Sequence, residues 1–243
     1  MLTEFRRAAL VGLALMLGAC GNSAEVRYKV TVEVDDNGTR RSGSSVWSFK
    51  LSKPAIALVA PYQAQFKGEA IALTLPGRGT LYALLAGRGP GGIPGSSSDM
   101  AMLPERLFGD PARGMEGLLP LHRDRLDDIR AIARRTGETA VLESGETREP
   151  WNNFPFLVRF TDPDDPKSVV AVHPADLAAH FGEGVILRKV SVAVTDDNVT
   201  RGNLGDLPYG RGTGFAKWYA GLSLQDPRRI GPEHFRLEQT DQR

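Results

Sequence analysis

A clean alternation of apolar and polar residues running into Asn-Gly leaves this chain little choice over its first element. Val26, Tyr28, Val30, Val32 and Val34 fall on one side of an extended chain, and Arg27, Lys29, Thr31 and Glu33 on the other. That period of two is the signature of a half-buried strand. Asp35-Asp36-Asn37-Gly38 follows, and Asn-Gly is the strongest short hairpin signal because both turn positions want positive φ. A two-residue turn there sets the register: Tyr28 faces Trp47, Val26 faces Phe49 and Val30 faces Ser45. The apolar face of the first strand then meets the aromatic face of its return, so turn chemistry and side-chain pattern agree. On that return strand Arg41-Ser42-Gly43-Ser44-Ser45 reads as a small-residue stretch in which Val32 and Val34 cover Gly43, ahead of a polar binding edge.

Further strands follow the same rules. Ala55 to Ala60 is a short apolar run, and Glu69 to Leu75 with Thr80 to Ala86 flank Pro76-Gly77-Arg78-Gly79 as a second hairpin. Both of its arms are apolar at nearly every position, which predicts central strands covered on both faces. Phe156 to Thr161 and Ser168 to Val172 frame a proline-bounded hairpin loop. Val185 to Thr195 is another strand with Val190, Val192 and Val194 inward. Helical spacing is clearest from Pro120 to Arg135, where Leu126, Ile129, Ile132 and Ala133 form a stripe that Gly137 can end. Pro174 to Phe181 reads as a short helix closed by Gly182, and Phe215 to Leu224 as either a last strand or a short helix. The expected fold is mostly β (α+β), antiparallel and sandwich-like, with two or three short helices. One domain over residues 26–243 is expected, with a split near residue 138 as the alternative.

Ahead of this body lies a different kind of segment. Arg6 and Arg7 precede ten uncharged apolar residues, Ala8 to Leu17, and then Gly18, Ala19 and Cys20. Ten helical residues rise roughly 15 Å, about half the hydrocarbon thickness of a bilayer, so the run is too short to span and fits an export signal. Leu17-Gly18-Ala19-Cys20 resembles the lipobox of bacterial lipoproteins. The resemblance implies a signal peptide over residues 1–19, cleavage between Ala19 and Cys20, and a diacylglyceryl thioether on Cys20. Residues 20–25 would then be the tether. Gly21 stands where an aspartate would retain a lipoprotein in the inner membrane of some Gram-negative bacteria, which points to the outer membrane, periplasmic side.

Charge and cysteine content exclude several classes. The chain carries +1; Glu4, Arg6 and Arg7 account for it, leaving the remainder balanced. A balanced body with no basic block argues against nucleic acid and against a polybasic membrane patch. Cys20 is the single cysteine, so a lipidated chain has no disulfide, thiol nucleophile or thiolate ligand.

Candidate chemistry is sparse. Gly87, Gly89 and Gly92 satisfy a dinucleotide-loop spacing, but Pro90 and Pro94 oppose a helix opening there. His122, at the edge of the predicted helical stripe, reads as a packed histidine. His173, Asp176 and His180 lack a fourth metal ligand, and Asp162, Asp164 and Asp165 lack the glycine and distant acid of a calcium loop. No cofactor is expected. Met100 to Leu119 mixes methionine and leucine with Gly and Pro; it reads as a segment folded back over a sheet, or as an adaptable contact surface. Trp151, Asn152 and Asn153, next to Glu143 to Glu149, pair aromatic surface with amides and are the candidate binding residues, although a capped loop entering a strand has the same composition.

Two stretches carry a further likeness. Tyr28-Lys29-Val30-Thr31-Val32-Glu33-Val34 with Arg41-Ser42-Gly43-Ser44-Ser45-Val46-Trp47, and the span from Phe160-Thr161-Asp162-Pro163 to Phe181-Gly182 and Thr195-Asp196, resemble functionally uncharacterised Gram-negative proteins, some with lipoprotein signals. The likeness brings no activity and no site residue. The sequence therefore points to a membrane-anchored cell-envelope lipoprotein with a binding or structural role and a protein or envelope-component partner. The alternative is a lipid-anchored periplasmic hydrolase assembling Ser, His and Asp in space, with Gly95-Ser96-Ser97-Ser98-Asp99 as its serine source.

Overall fold

The structure, a computed structural model, describes residues 22–54, 62–89, 92–110, 124–142, 154–204, 207 and 213–237. Cys20 and the signal segment, the apolar run 55–60, Met115 to Leu119, His122, the charged turn 143–149 and Trp151, Asn152 and Asn153 lie outside the described residues.

The first hairpin is β1 (Ser23–Asp36) and β2 (Thr39–Ser52), paired in the expected register from Ser23↔Ser52 to Asp36↔Thr39. Asn37 and Gly38 take φ of 51° and 82°, and the Asp35 carboxylate accepts the Gly38 N–H at 2.6 Å. Strand structure begins three residues before Val26, because Ser23, Ala24 and Glu25 already pair with Ser52, Leu51 and Lys50.

Two antiparallel sheets form around this hairpin. The six-stranded sheet has the order β10-β3-β2-β1-β9-β6, and the four-stranded sheet β4-β5-β7-β8. Their remaining members are β3 (Gln63–Glu69), β4 (Ile71–Leu75), β5 (Gly79–Gly87), β6 (Thr139–Leu142), β7 (Pro155–Phe160), β8 (Val169–Ala171), β9 (Val185–Val194) and β10 (Arg236–Leu237). The architecture is thus mostly β and sandwich-like. Strands from both sides of residue 138 share the larger sheet.

The stretch expected as one strand from Glu69 to Leu75 instead changes sheet at Ala70. It leaves β3, where Gly68 has φ 155° and a Cβ would fall 2.5 Å from Trp47 Cδ1, and enters β4. Among the described residues the arm β4 is an edge strand with Thr74 exposed, not a central one; of the two arms, β5 is the one flanked on both sides. Gly43 is also explained differently. Val32 is its ladder partner, while a Cβ at Gly43 would lie 3.0 Å from Ile71 Cγ2 and 3.2 Å from the Ala72 carbonyl oxygen. A side chain here would hold β4 off β2.

The main core lies between the sheets, with Val26, Tyr28, Val30, Trp47 and Phe49 facing Ile71, Leu73, Leu81 and Leu157. Tyr28 and Trp47 meet edge to face at 5.9 Å. A second apolar layer covers the outer face of the smaller sheet: Leu84, Phe156, Val158 and Phe160 pack under Leu204, Ile230 and Phe235. Both faces of β5 and β7 are therefore dry, which is why their sequences run apolar without alternation.

Helices close the ends. The described part of the Met-rich stretch enters two short helices, α1 (Ser97–Ala101), which begins just before it, and α2 (Leu103–Phe108). Met100, Leu103 and Phe108 are buried, and the Tyr28 hydroxyl donates to the Met100 carbonyl at 2.6 Å. The segment folds inward because its methionine and leucines fill the sandwich end. The predicted long helix is α3 (Arg125–Ala133), started by Asp124, whose carboxylate accepts the Leu126 N–H, and buried through Leu126, Ile129 and Ile132. Then come α4 (Ala178–Phe181), closed by Gly182 at φ 92°, and α5 (Thr213–Ala220). The last resolves the ambiguity at Phe215 in favour of a helix, with Phe215 stacked on Tyr219 at 5.7 Å, one turn on.

Candidate functional site

The site begins with a defect in β9. Val190, Val192 and Val194 are buried as expected, and an unbroken strand would carry that phase back to Arg188 and Ile186. The ladder to β1 shifts instead: Lys189 pairs with Glu33 but Leu187 with Val34, so Arg188 is the extra residue of a β-bulge. Below it the alternation inverts. Val185 is buried, and Ile186 is turned out to 59% exposure.

Ile186 does not stand alone. Val141, on the edge strand β6, is 57% exposed, and both line a groove of about 270 Å³ between the β6–β9 edge and the approach to α4. Its floor is core: Leu142, Phe154, Leu177, Val185 and Val190 are all at most 5% exposed. Its far wall runs from Pro174 to Ala178. That wall is held locally, since His173 Nδ1 accepts the Ala175 N–H at 3.2 Å and Asp176 Oδ1 accepts the Ala179 N–H at 3.1 Å. Arg78 secures it from behind, donating to the Phe181 carbonyl at 2.8 Å while its Nε lies 3.1 Å from Asp36.

Charge rims the groove. Arg188 meets Asp35 at 3.2 Å and Lys189 meets Glu33 at 3.0 Å, with both basic side chains about half exposed. Exposed pairs of this kind contribute about 0–1 kcal/mol each. Their effect is to leave the rim polar and the mouth apolar, the anatomy of a binding surface.

The residues singled out from sequence separate into groups. His173 and Asp176 spend their side chains on the backbone beside the groove, and among the described residues no three His, Cys, Asp or Glu side chains are placed to hold a metal. Asp162 and Asp165 accept the N–H groups of Asp164 and Lys167 as turn formers. The serine run serves a helix start: Ser96 accepts the Ser98 N–H while Asp99 accepts that of Ser96. The glycine-rich loop folds on itself, with Gly89 donating to Ile93 at 2.8 Å and Gly95 to Gly87 at 2.8 Å. Those N–H groups are spent within the loop.

One buried acid went unread. Glu69 is 2% exposed. Its carboxylate accepts the N–H groups of Gly202 and Asn203, each at 2.9 Å, and the Arg236 Nε at 2.8 Å. Its carbonyl takes the Ser45 hydroxyl and the Trp47 indole, each at 2.7 Å. All of these partners are internal, so Glu69 is a structural hub. Nothing in the local pattern of β3 distinguishes it from an ordinary strand-end glutamate.

Comparison with known proteins adds no relative: no protein-family model, curated protein or solved structure matches the chain.

Proposed function

We infer that this chain is a lipid-anchored cell-envelope protein that binds an envelope component. The observation that carries the reading is Leu17-Gly18-Ala19-Cys20 placed after an arginine-flanked ten-residue apolar run. Among the described residues no helix is long and apolar enough to cross a membrane, which is compatible with attachment through acyl chains at about 0.8 kcal/mol per buried methylene. With Gly21 after the cysteine, the periplasmic side of the outer membrane is the proposed residence.

Binding is assigned to the groove. A β-bulge that turns an isoleucine outward into a groove that an exposed valine also lines is the kind of feature found at functional edges. The hydrolase alternative receives no comparable support, because its serine run caps α1 and, among the described residues, the groove is lined by neither serine nor histidine.

Intact mass of the protein extracted from membranes tests the anchor. The expected species starts at Cys20 and carries acyl chains, and Cys20→Ala should move the protein to the soluble fraction. An intact Met1 or an unmodified thiol overturns the reading. For the groove, Val141→Lys with Ile186→Lys should abolish co-purification of the envelope partner while leaving the melting temperature nearly unchanged, since both side chains are already wet.

A further inference from the structure

We propose that the body stands on the membrane by the end at which β1 begins, and carries the groove at its membrane-distal end. This rests on the lipid anchor at Cys20. The shortness of the tether is what gives the anchor a direction. Asn22 is already held, its carbonyl accepting the Lys53 N–H at 2.8 Å, and Ser23 is paired with Ser52. Only Gly21 separates the acylated residue from Asn22, a backbone reach of at most roughly 7 Å. The start of β1 is therefore kept at the headgroup layer.

Among the described residues, that end is tied together by side chains. Arg130 donates to the Ser23 carbonyl at 3.1 Å. Asp124, which starts α3, takes Lys53 at 2.5 Å and the Tyr62 hydroxyl at 2.9 Å, and Thr136 donates to Asp196 at 3.0 Å. The helix α3 thus meets the start of β1 with Asp124, Arg125, Asp127 and Arg130 each paired within the chain. Orientation then comes from the tether and not from a basic patch.

The other end follows from strand geometry. The groove's Leu142 and Ile186 sit level with Val32 and Asp35 of β1 through the β6–β9 and β9–β1 ladders. At about 3.3 Å per residue, that places them roughly 30–40 Å along the strand from Ser23. Arg40, which pairs with Asp35, marks the same level, and Gln63, which pairs with Ser52, marks the base.

The cysteine content makes the test direct, since acylation consumes the Cys20 thiol and any introduced cysteine is labelled alone. Lipidated Gln63→Cys and Arg40→Cys proteins, each carrying a donor fluorophore, are reconstituted into phosphatidylcholine/phosphatidylglycerol vesicles containing an acceptor-labelled lipid. The expected result is strong loss of donor emission at position 63 and little at position 40, in low and high salt alike. Equal loss at both positions, or the reverse ranking, on protein that floats with the vesicles overturns the orientation and leaves the anchor standing. Protein that does not float overturns both.

Discussion

Glu69 and Arg236 meet at 2.8 Å across a steep change in environment, the carboxylate 2% exposed and the guanidinium 42%. The pair fastens the last described strand to β3, where Arg236 also lies opposite Glu69 in the ladder. With the Gly202 and Asn203 amides on the same carboxylate, a single acid joins three stretches of chain that are remote in sequence. Replacing it by glutamine would keep the shape, remove the charge, and turn an amide N–H₂ toward one of those N–H donors. We expect Glu69→Gln to cost about 2–3 kcal/mol. Urea unfolding measures this, and a change within about 0.5 kcal/mol, as for an ordinary surface substitution, would remove the hub.

Two glycines predict costs of different size. A Cβ on Gly68 meets the Trp47 ring at 2.5 Å, whereas one on Gly38 meets nothing within 4 Å and suffers only from φ 82°. Gly38→Ala should cost about 1 kcal/mol from backbone strain alone, and Gly68→Ala clearly more because the buried indole must also move. Thermal melts of the two variants side by side check the ranking.

Burial pushes the Tyr28 phenol well above its usual range, and its hydroxyl donates to the Met100 carbonyl at 2.6 Å. Tyr28→Phe leaves that buried carbonyl without this donor, at an expected cost of about 1–2 kcal/mol. Alkaline spectrophotometric titration should show Tyr28 ionising only as the protein unfolds, after the less buried phenols; its smooth titration together with them would contradict the burial.

Two groups act in separate pH windows. Burial lowers the His234 pKa from its ordinary 6.5, against the opposing pull of Glu233. The unfolded chain then takes up this proton before the folded one does, so stability falls as pH drops below about 6.5 and levels off below the lowered folded value. Asp124 is held at about 2 by Lys53 and the hydrogen bonds around it, against an ordinary 3.8. Its contribution is present above 3.8 and is lost as pH falls towards about 2. Melting temperature against pH should lose its upper slope in His234→Gln and its lower one in Asp124→Asn. A variant that keeps the wild-type slope in its own window contradicts the assignment.

Legibility tracked how local the cause was. Asp35 to Gly38 and the flanking alternation specify the first hairpin between neighbours, so its register could be read residue by residue. The loop between β7 and β8 and the Gly182 helix end were readable for the same reason. The Met100 region could be read as folding back over a sheet but not as to what it fills, because the space that Met100 and Leu103 occupy belongs to elements far away in the chain. The groove was half visible. Arg188 falls in the inward phase of Val190, Val192 and Val194, a place where an unpaired charge does not stay, and that conflict signals a bulge.

By itself the sequence determined the β1–β2 pairing and the predominance of antiparallel strand, because each depends on residues within a few positions of one another. It alone also carries the motif ending at Cys20 on which the proposed anchor rests. Tertiary structure alone decided that the chain changes sheet at Ala70, that Glu69 is buried, and that Ile186 faces water. Those outcomes depend on which surfaces meet. A glutamate can be buried only when distant amides and an arginine arrive to satisfy it, and an isoleucine is turned outward only when the neighbouring ladder absorbs one extra residue.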